Sequence, residues 1–391
     1  MAQALMNLIS APLLAQAGRA AAGAAPSMER ARTVSDRAAD ALQYSIWAAV
    51  LYIAIGLVAV LVVVSVLGLV MSYIERKVAG HFQCRLGPMR VGPHGILQSL
   101  ADGIKLLFKE GIEPGHGDKV IFIGAPIFSI TATILLLAIV PVAPGIQVVD
   151  MNVGVVYIAA VSGIGVMGIL MGGWSSDNKW SLLGAMRAGA QMISYEISLT
   201  IAILVVVMFS GTLRVSEIIE SQQQGWWIWR GHGVAIVAFC LYLIASTAEL
   251  NRTPFDLPEG ESELTGGYHT EYSGLRFSFF FLAEFANLFV FSALATTFFL
   301  GGWLPFHIGD YEAFNRVMDI LPPVISPLFW FGTKCTVLIF VLMWFRWTFP
   351  RLRMDQLMRL EWKVLLPFGF ANLILAATVV LTGLYFFPTA T

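Results

Sequence analysis

Charge is scarce in this chain. Of its 391 residues, 13% are Asp, Glu, Lys or Arg and 57% are apolar, whereas an ordinary soluble domain has about a quarter of its residues charged. The 24 basic residues face 25 acidic ones, for a net charge of −1. With no cationic excess, the chain lacks the electrostatic footprint of a nucleic-acid binder. Cysteine is as sparse: Cys84, Cys240 and Cys335 lie far apart. They form no CxxC pair, no zinc or cluster spacing and no disulfide framework. A metal or iron–sulfur cluster on this chain's own ligands is therefore not expected. The six histidines are scattered and build neither HExxH nor a triad arrangement.

The chain is rich in long apolar runs. A helix needs about 20 mostly apolar residues to cross a hydrocarbon core about 30 Å thick. Eight stretches qualify: 44–74, 119–141, 153–173, 193–211, 233–250, 277–300, 325–348 and 364–387. Backbone groups in lipid find no water, so these runs are expected as helices rather than open sheet. The fold class is then an all-α polytopic membrane protein with about eight transmembrane helices. The first run is overlong and must tilt or project. Lys and Arg concentrate in the loops after spans 1, 3, 5 and 7 and thin out after spans 2, 4 and 6, which puts the odd loops on the cytoplasmic (or matrix) side and both termini outside. Residues 1–43 form an Ala-rich N-terminal extension whose four arginines run against this assignment. Its apolar piece, Leu5 to Leu14, is too short to span and reads as an interfacial helix, with a processed leader as the alternative. Residues 44–391 read as a single membrane domain without internal repeats. Trp226, Trp227, Trp229, Trp303, Trp344 and Trp347 fall where aromatic belts are expected.

Gly163 to Gly168 matches GxGxxG, but inside an apolar span and not after a strand. Close helix packing explains it better than a dinucleotide does. In the first loop, Ile96, Leu97, Leu100, Ile104, Leu107 and Phe108 recur at helical spacing, opposite Gln98, Asp102, Lys105 and Lys109. This predicts an amphipathic helix on the membrane surface, either a cover or a platform guiding a lipid-soluble ligand. Glu196, Glu249 and Glu284 lie within or at the ends of spans. Charge there costs several kcal/mol or more, so such acids face cavities and mark proton routes, unless they are hydrogen-bonded structural groups. The fifth loop adds Asp256, Glu259, Glu261, Glu263 and Glu271 against Arg252 and Arg276. A solvated acidic loop is the simpler reading for these five. Lys334, about nine residues into span 7, needs a carboxylate if it is charged. Arg76, Arg85, Arg252 and Arg346 read individually as interfacial anchors. Among the histidines, His269 beside the acids is the one to test.

Four loop segments carry a resemblance. The first loop has Glu75-Arg-Lys-Val-Ala-Gly, Gln83-Cys-Arg-Leu-Gly-Pro88 and Leu97-Gln-Ser-Leu-Ala-Asp-Gly-Ile-Lys-Leu-Leu-Phe-Lys-Glu110. The third has Gly173-Trp-Ser-Ser-Asp-Asn-Lys-Trp-Ser and Ala190-Gln-Met-Ile-Ser-Tyr-Glu196. The fifth has Ala248-Glu-Leu-Asn-Arg-Thr-Pro-Phe-Asp-Leu-Pro-Glu-Gly-Glu-Ser-Glu-Leu264 and Tyr268-His-Thr-Glu-Tyr-Ser-Gly274, and the last has Pro350-Arg-Leu-Arg-Met-Asp-Gln-Leu-Met358 with Trp362-Lys-Val-Leu-Leu-Pro367. From about residue 44 onward the chain resembles the H subunit of the respiratory NADH:quinone oxidoreductase, complex I, a family that includes the mitochondrial NADH dehydrogenase subunit 1. Asp177 stands where Asn is expected and Arg276 where Lys is common.

The resemblance implies a heel-like membrane subunit where the peripheral and membrane arms meet. It would wall most of a narrow quinone chamber, with quinone as substrate and with FMN and iron–sulfur clusters on partner subunits. Span 1, the surface helix and span 6 would frame the entrance from lipid. Arg76, Arg85, Arg252, Phe255, Asp256 and Arg346 would line or hold the chamber. Glu196, Glu249, Glu259, Glu261, Glu263, Glu271 and Glu284 would form the acidic proton path. The partners would be quinone-module subunits of the peripheral arm, small adjacent membrane subunits and lipid, with no nucleic acid. The chain would then be an enzyme only as part of a proton-translocating complex, in the bacterial inner membrane or, alternatively, the mitochondrial one. A secondary transporter would instead show pseudo-symmetric halves, which the sequence lacks. The membrane subunit of energy-converting hydrogenases shares parts of the loops but not the full first and fifth. A purely structural anchor leaves the acids within spans unexplained.

Overall fold

The structure, a computed structural model, describes residues 33–42, 45–257, 260, 265–308, 311–322 and 325–383. Helices follow one another as α1 (Val34–Leu42), α2 (Ile46–Phe82), α3 (Gln98–Phe108), α4 (Lys119–Ile139), α5 (Gly154–Ser175), α6 (Lys179–Ser210), α7 (Val215–Glu220), α8 (Trp227–Arg230), α9 (His232–Glu249), α10 (Gly274–Phe299), α11 (Glu312–Met318), α12 (Ser326–Thr348), α13 (Met354–Leu360) and α14 (Leu366–Thr382). A π turn, Glu361–Leu365, joins the last two. Eight of these units are long and apolar enough to cross a membrane: α2, α4, α5, α6, α9, α10, α12 and the joined Met354–Thr382. The chain is an all-α polytopic membrane protein, as its hydropathy predicts.

Where the helix bounds differ from the apolar runs, local chemistry supplies the reason. α6 starts at Lys179 rather than near 193 because Asn178 caps it, accepting from Trp180 N at 3.0 Å. A cap satisfies backbone donors that lipid or water would otherwise have to meet. α4 begins where expected, with the Asp118 carboxylate accepting from Val120 N and Ile121 N. The first span runs 37 residues, about 55 Å at 1.5 Å per residue. Its outer turns do not stand alone: α1 folds back along them, and Ser35 N donates to Val148 O at 3.0 Å. The Leu5–Leu14 segment lies outside the described residues.

Without a hydrophobic drive between helices in lipid, packing relies on small residues and fixed polar contacts. α6 is the central helix, packed against α5, α9 and the last span, and its Tyr195, Ala202, Val205 and Val206 are fully buried. α5 lies close on α4: a Cβ at Gly168 would sit 2.8 Å from Ser129 N and 3.0 Å from Ala125 O. The GxGxxG run is thus a helix-packing face. α10 packs against α2, α4 and α12.

Lys334 corrects a sequence expectation. Its partner is no carboxylate. The ammonium donates to the carbonyls of Leu300 at 2.6 Å, Gly302 at 3.0 Å and Leu304 at 2.6 Å, and sits 4.3 Å from the Trp226 ring centroid. Leu300 is the C-cap of α10, so the cation meets the negative end of a helix dipole and its orphan carbonyls.

Candidate functional site

A cavity of about 770 Å³ opens where α2, α10 and α12 meet the loops beside them. α2 contributes Ser72, Glu75, Arg76 and Ala79, and α10 contributes Phe277, Phe281, Glu284 and Phe285. Both sets follow the i, i+3, i+4, i+7 or i+8 spacing of a single helix face. Arg346 and Trp347 come from the last turn of α12. Arg85, Leu86, Gly87 and Pro88 close one side. Gly80 makes that return possible: a Cβ there would lie 2.9 Å from both Arg85 O and Gly87 N.

The wall is aromatic along α10 and ionic at its inner edge. Arg252 lies behind the cavity, 1% exposed, with Nη1 donating to Glu75 Oε2 at 2.8 Å and Nη2 to Glu284 Oε1 at 3.3 Å. Arg346 donates to Glu75 Oε1 and lies 3.8 Å from Glu284 Oε1. Two arginines and two glutamates thus form a quartet with no formal net charge, Arg252 and Glu75 buried and Arg346 and Glu284 partly open to the cavity. The Arg252 guanidinium also stands 5.3 Å from the Phe285 centroid. Such a group is tolerable in a low-dielectric wall only because each charge has an opposite partner and hydrogen bonds.

The expected chamber residues divide. Arg76, Arg85 and Arg346 line the cavity, and Arg252 holds its ionic wall from behind. Phe255 is buried elsewhere, its ring 5.4 Å from Tyr195, and neither it nor Asp256 is a lining residue. The expected acids divide too. Glu284 lines the cavity. Glu196 accepts from Ser162 Oγ on α5, with Gly163 leaving room beside the carboxylate. Glu249 is buried within electrostatic reach of Glu196, and its Oε2 has no hydrogen-bond partner among the described residues. Glu271 accepts from Asn178 Nδ2 at 2.7 Å. Glu259, Glu261 and Glu263 lie outside the described residues.

Sequence reasoning passed over Glu75, which the quartet makes central. The available signal was its register with Ser72, Arg76 and Ala79. It did single out His269. That ring packs 3.8 Å from Tyr268 and about 5.5 Å from Phe277 and Phe280. Burial among these rings pushes its pKa down to about 3, so the imidazole faces the cavity neutral. Positive charge at the cavity therefore comes from the arginines.

The surface helix predicted in the first loop is α3. Its Leu100, Ile104, Leu107 and Phe108 are exposed, so this chain leaves the apolar face uncovered. Its polar side is tied down, since Arg76 donates to Asp102. Burial raises the Asp102 pKa, but the hydrogen bonds and charge of Arg76, with Gln98 and Lys105, outweigh it and hold the carboxyl below its ordinary value. Beyond α3, Ile112 N donates to Ser273 Oγ at 3.0 Å and Arg276 pairs with Glu113 at 2.5 Å. Among the described residues no group of three or more His, Cys, Asp or Glu could hold a metal ion.

Comparison with known proteins shows the family of the chain. A family model described as NADH dehydrogenase matches residues 55–377. The chain belongs to that family. Among its relatives, a protein of Phocaeicola vulgatus is 52% identical over 329 residues, covering 84% of this chain and 91% of the relative. One of Brevibacillus brevis is 46% identical over 336 residues, covering 85% and 95%. Both are named as the H subunit of NADH-quinone oxidoreductase. A protein of Solibacter usitatus, named as the second H subunit of the same enzyme, is 43% identical over 375 residues, covering 83% and 95%. The matched region takes in every residue that lines the cavity.

Proposed function

We propose that this chain is the H subunit of a bacterial, inner-membrane NADH:quinone oxidoreductase, and that the α2–α10–α12 cavity takes the quinone head. One observation carries this reading: within three turns of α10, the lining passes from Phe277 and Phe281 to Glu284, which the Arg252–Arg346 pair contacts. An apolar trough ending in fixed cations suits a flat, lipid-tailed carbonyl compound. The exposed apolar face of α3, beside the cavity's α2 wall, would border its approach from lipid.

Reduction of a quinone to a quinol takes two electrons and two protons. In this reading the electrons come from FMN and iron–sulfur clusters on neighbouring subunits. Negative charge develops on the quinone oxygens before protonation is complete. Preorganised guanidinium groups in a low-dielectric wall stabilise that charge without reorganising at the moment of reaction. Arg85 and Arg346 would touch the head, while Arg252 positions Glu75 and Glu284. The charge change at the head is felt by Glu284 through the quartet, and the protons move on by way of Glu249 and Glu196 toward other membrane subunits of the complex. Glu271 and the acids at 259, 261 and 263 would act at the loop.

Glu249→Gln and Glu284→Gln in the assembled complex test the acid route. Electron transfer from NADH to quinone is expected to persist at a reduced rate, while proton uptake per electron falls. Wild-type assembly, quinone reduction and pumping in both variants would exclude these acids as the route. A quinone-analogue photolabel should mark peptides containing Arg85 or Arg346. Labelling confined to other subunits would remove the cavity from the site.

A further inference from the structure

An acid that the proposed route does not use lies on another side of α6. Glu361 is fully buried, in the π turn between α13 and α14 and inside the span Met354–Thr382. Pro367 helps to cause that turn, because it offers no N–H to the carbonyl of Lys363 four residues back. Single π turns inside helices are frequent at functional positions. Ser198 Oγ donates to Glu361 Oε1 at 2.5 Å, and Oε2 has no hydrogen-bond partner among the described residues. No ion pair to Glu361 is formed among them either; Asp355, Arg359 and Lys363 on its own segment are exposed.

The neighbours of Glu361 form a line. Gln191, Tyr195 and Ser198 are spaced by four and three residues, so they share one face of α6. Gln191 Nε2 donates to Ala248 O at 2.7 Å and Phe255 O at 2.8 Å, which fixes the line to the start of the fifth loop. Tyr195 packs against Phe255, donates its hydroxyl to Leu357 O at 3.2 Å, and lies within electrostatic reach of Glu361. Tyr195 is the titratable group that α6 turns toward Glu361. Farther along the helix, Ala202, Val205 and Val206 are buried and apolar. The polar line therefore runs from the fifth loop to Glu361 and stops.

We propose that Glu361 is an exchangeable proton-holding carboxyl at the blind end of the Gln191–Tyr195–Ser198 line, separate from the Glu249–Glu196 side of α6. An ionised carboxylate in this place would need a cation or several donors, and one serine hydroxyl is a poor substitute. A neutral acid needs only a proton on Oε2, and its one strong acceptor contact is already made. Such a group stores a proton and responds to charge in the fifth loop without conducting through the membrane. The proposal rests on the quinone-reductase reading for the origin of the loop's charge, but not for whether the acid holds a proton.

Infrared difference spectroscopy on the assembled complex in liposomes tests this. Subtracting the Glu361→Gln spectrum from wild type should reveal a protonated-carboxyl C=O band that shifts down in D₂O. Ser198→Ala, which keeps the acid and removes its donor, should move that band up, and this variant serves if Glu361→Gln does not assemble. Absence of the band, meaning an ionised carboxylate, or a band that never exchanges, meaning a sealed structural acid, would overturn the proposal. Neither outcome bears on the Glu249→Gln and Glu284→Gln result, so the two readings fail separately.

Discussion

Glu75 and Glu284, on the cavity wall, and Glu249 and Glu361, away from it, are the same residue type, all in membrane-spanning helices. Their surroundings separate them. The wall pair shares two arginines in four contacts. Glu249 and Glu361 each keep one oxygen without a hydrogen-bond partner among the described residues. An acid paired with arginine takes a proton only when a nearby charge change loosens the pair, because protonating it otherwise strands the cation. An acid without a cation can change protonation at lower cost. Partners, more than residue type or depth, thus set how readily each acid can take a proton.

The comparison breaks most visibly at Arg252. Arg252→Leu leaves Glu75 and Glu284 short of a cation in a buried wall, and breaking a buried pair this way costs about 3–5 kcal/mol. The variant complex is expected to assemble poorly and to lose quinone reduction. Adding Glu75→Leu should recover much of the assembly, because the stranded charge is gone. A double variant no better than the single would show that the quartet is not an electrostatic unit. Thermal melting of the isolated membrane complexes is the measurement.

Lys334 supplies the next test, on a cation whose partners are carbonyls rather than acids. Lys334→Met removes three hydrogen bonds at the end of α10 and should cost about 2 kcal/mol, since bonds to charged donors carry about 1.5–3 kcal/mol each and water can replace part of them. The midpoint of thermal unfolding should fall while the rate of quinone reduction per assembled complex stays the same. A loss of rate without a loss of stability would give Lys334 a direct part in the reaction.

The sequence made the eight spans legible because apolar length is a strong local signal, and the family resemblance pointed to Arg76, Arg85, Arg252 and Arg346. It could not show that Arg252 reaches back to Glu75, 177 residues earlier, because nothing local encodes that closure. Phe255 stands close to Arg252 in sequence but faces Tyr195. Glu361 was hidden by a boundary: the apolar run begins near 364, so the acid reads as part of a loop. Its register with buried Leu357 and Leu365, one every four residues, was the available clue. Lys334 escaped for the opposite reason, since backbone carbonyls leave no mark in a sequence.

His269 sharpens the contrast from the neutral side. Its pKa of about 3 lies below the unfolded value of about 6.5. The stability this burial confers is fully present above pH 6.5 and is lost as the pH falls toward 3, because the unfolded chain then binds the extra proton. Between pH 6.5 and 5 the wild-type complex should lose about 1–2 kcal/mol more than His269→Gln does. Parallel pH curves for the two would mean that the ring is solvated and not packed against Tyr268 and Phe280.

The smallest effect belongs to the exposed counterpart of the wall, the Arg76–Asp102 pair that ties α3 to α2. Arg76 is 41% exposed and Asp102 25% exposed, so water and salt screen the pair, and Asp102→Asn should cost about 0.5–1 kcal/mol at most. The Asp102 pKa is held below its ordinary value. Its contribution is therefore present above the ordinary carboxylate range and disappears only as the pH falls through that lowered value, so neutral pH changes should leave it untouched while added salt weakens it. Hydrogen exchange across residues 98–108 should rise in Asp102→Asn and in wild type at high salt, with global melting unchanged. Exchange that ignores both would mean that α3 is held by its buried Ser99 side and its contacts with α10, and that the charge pair is incidental.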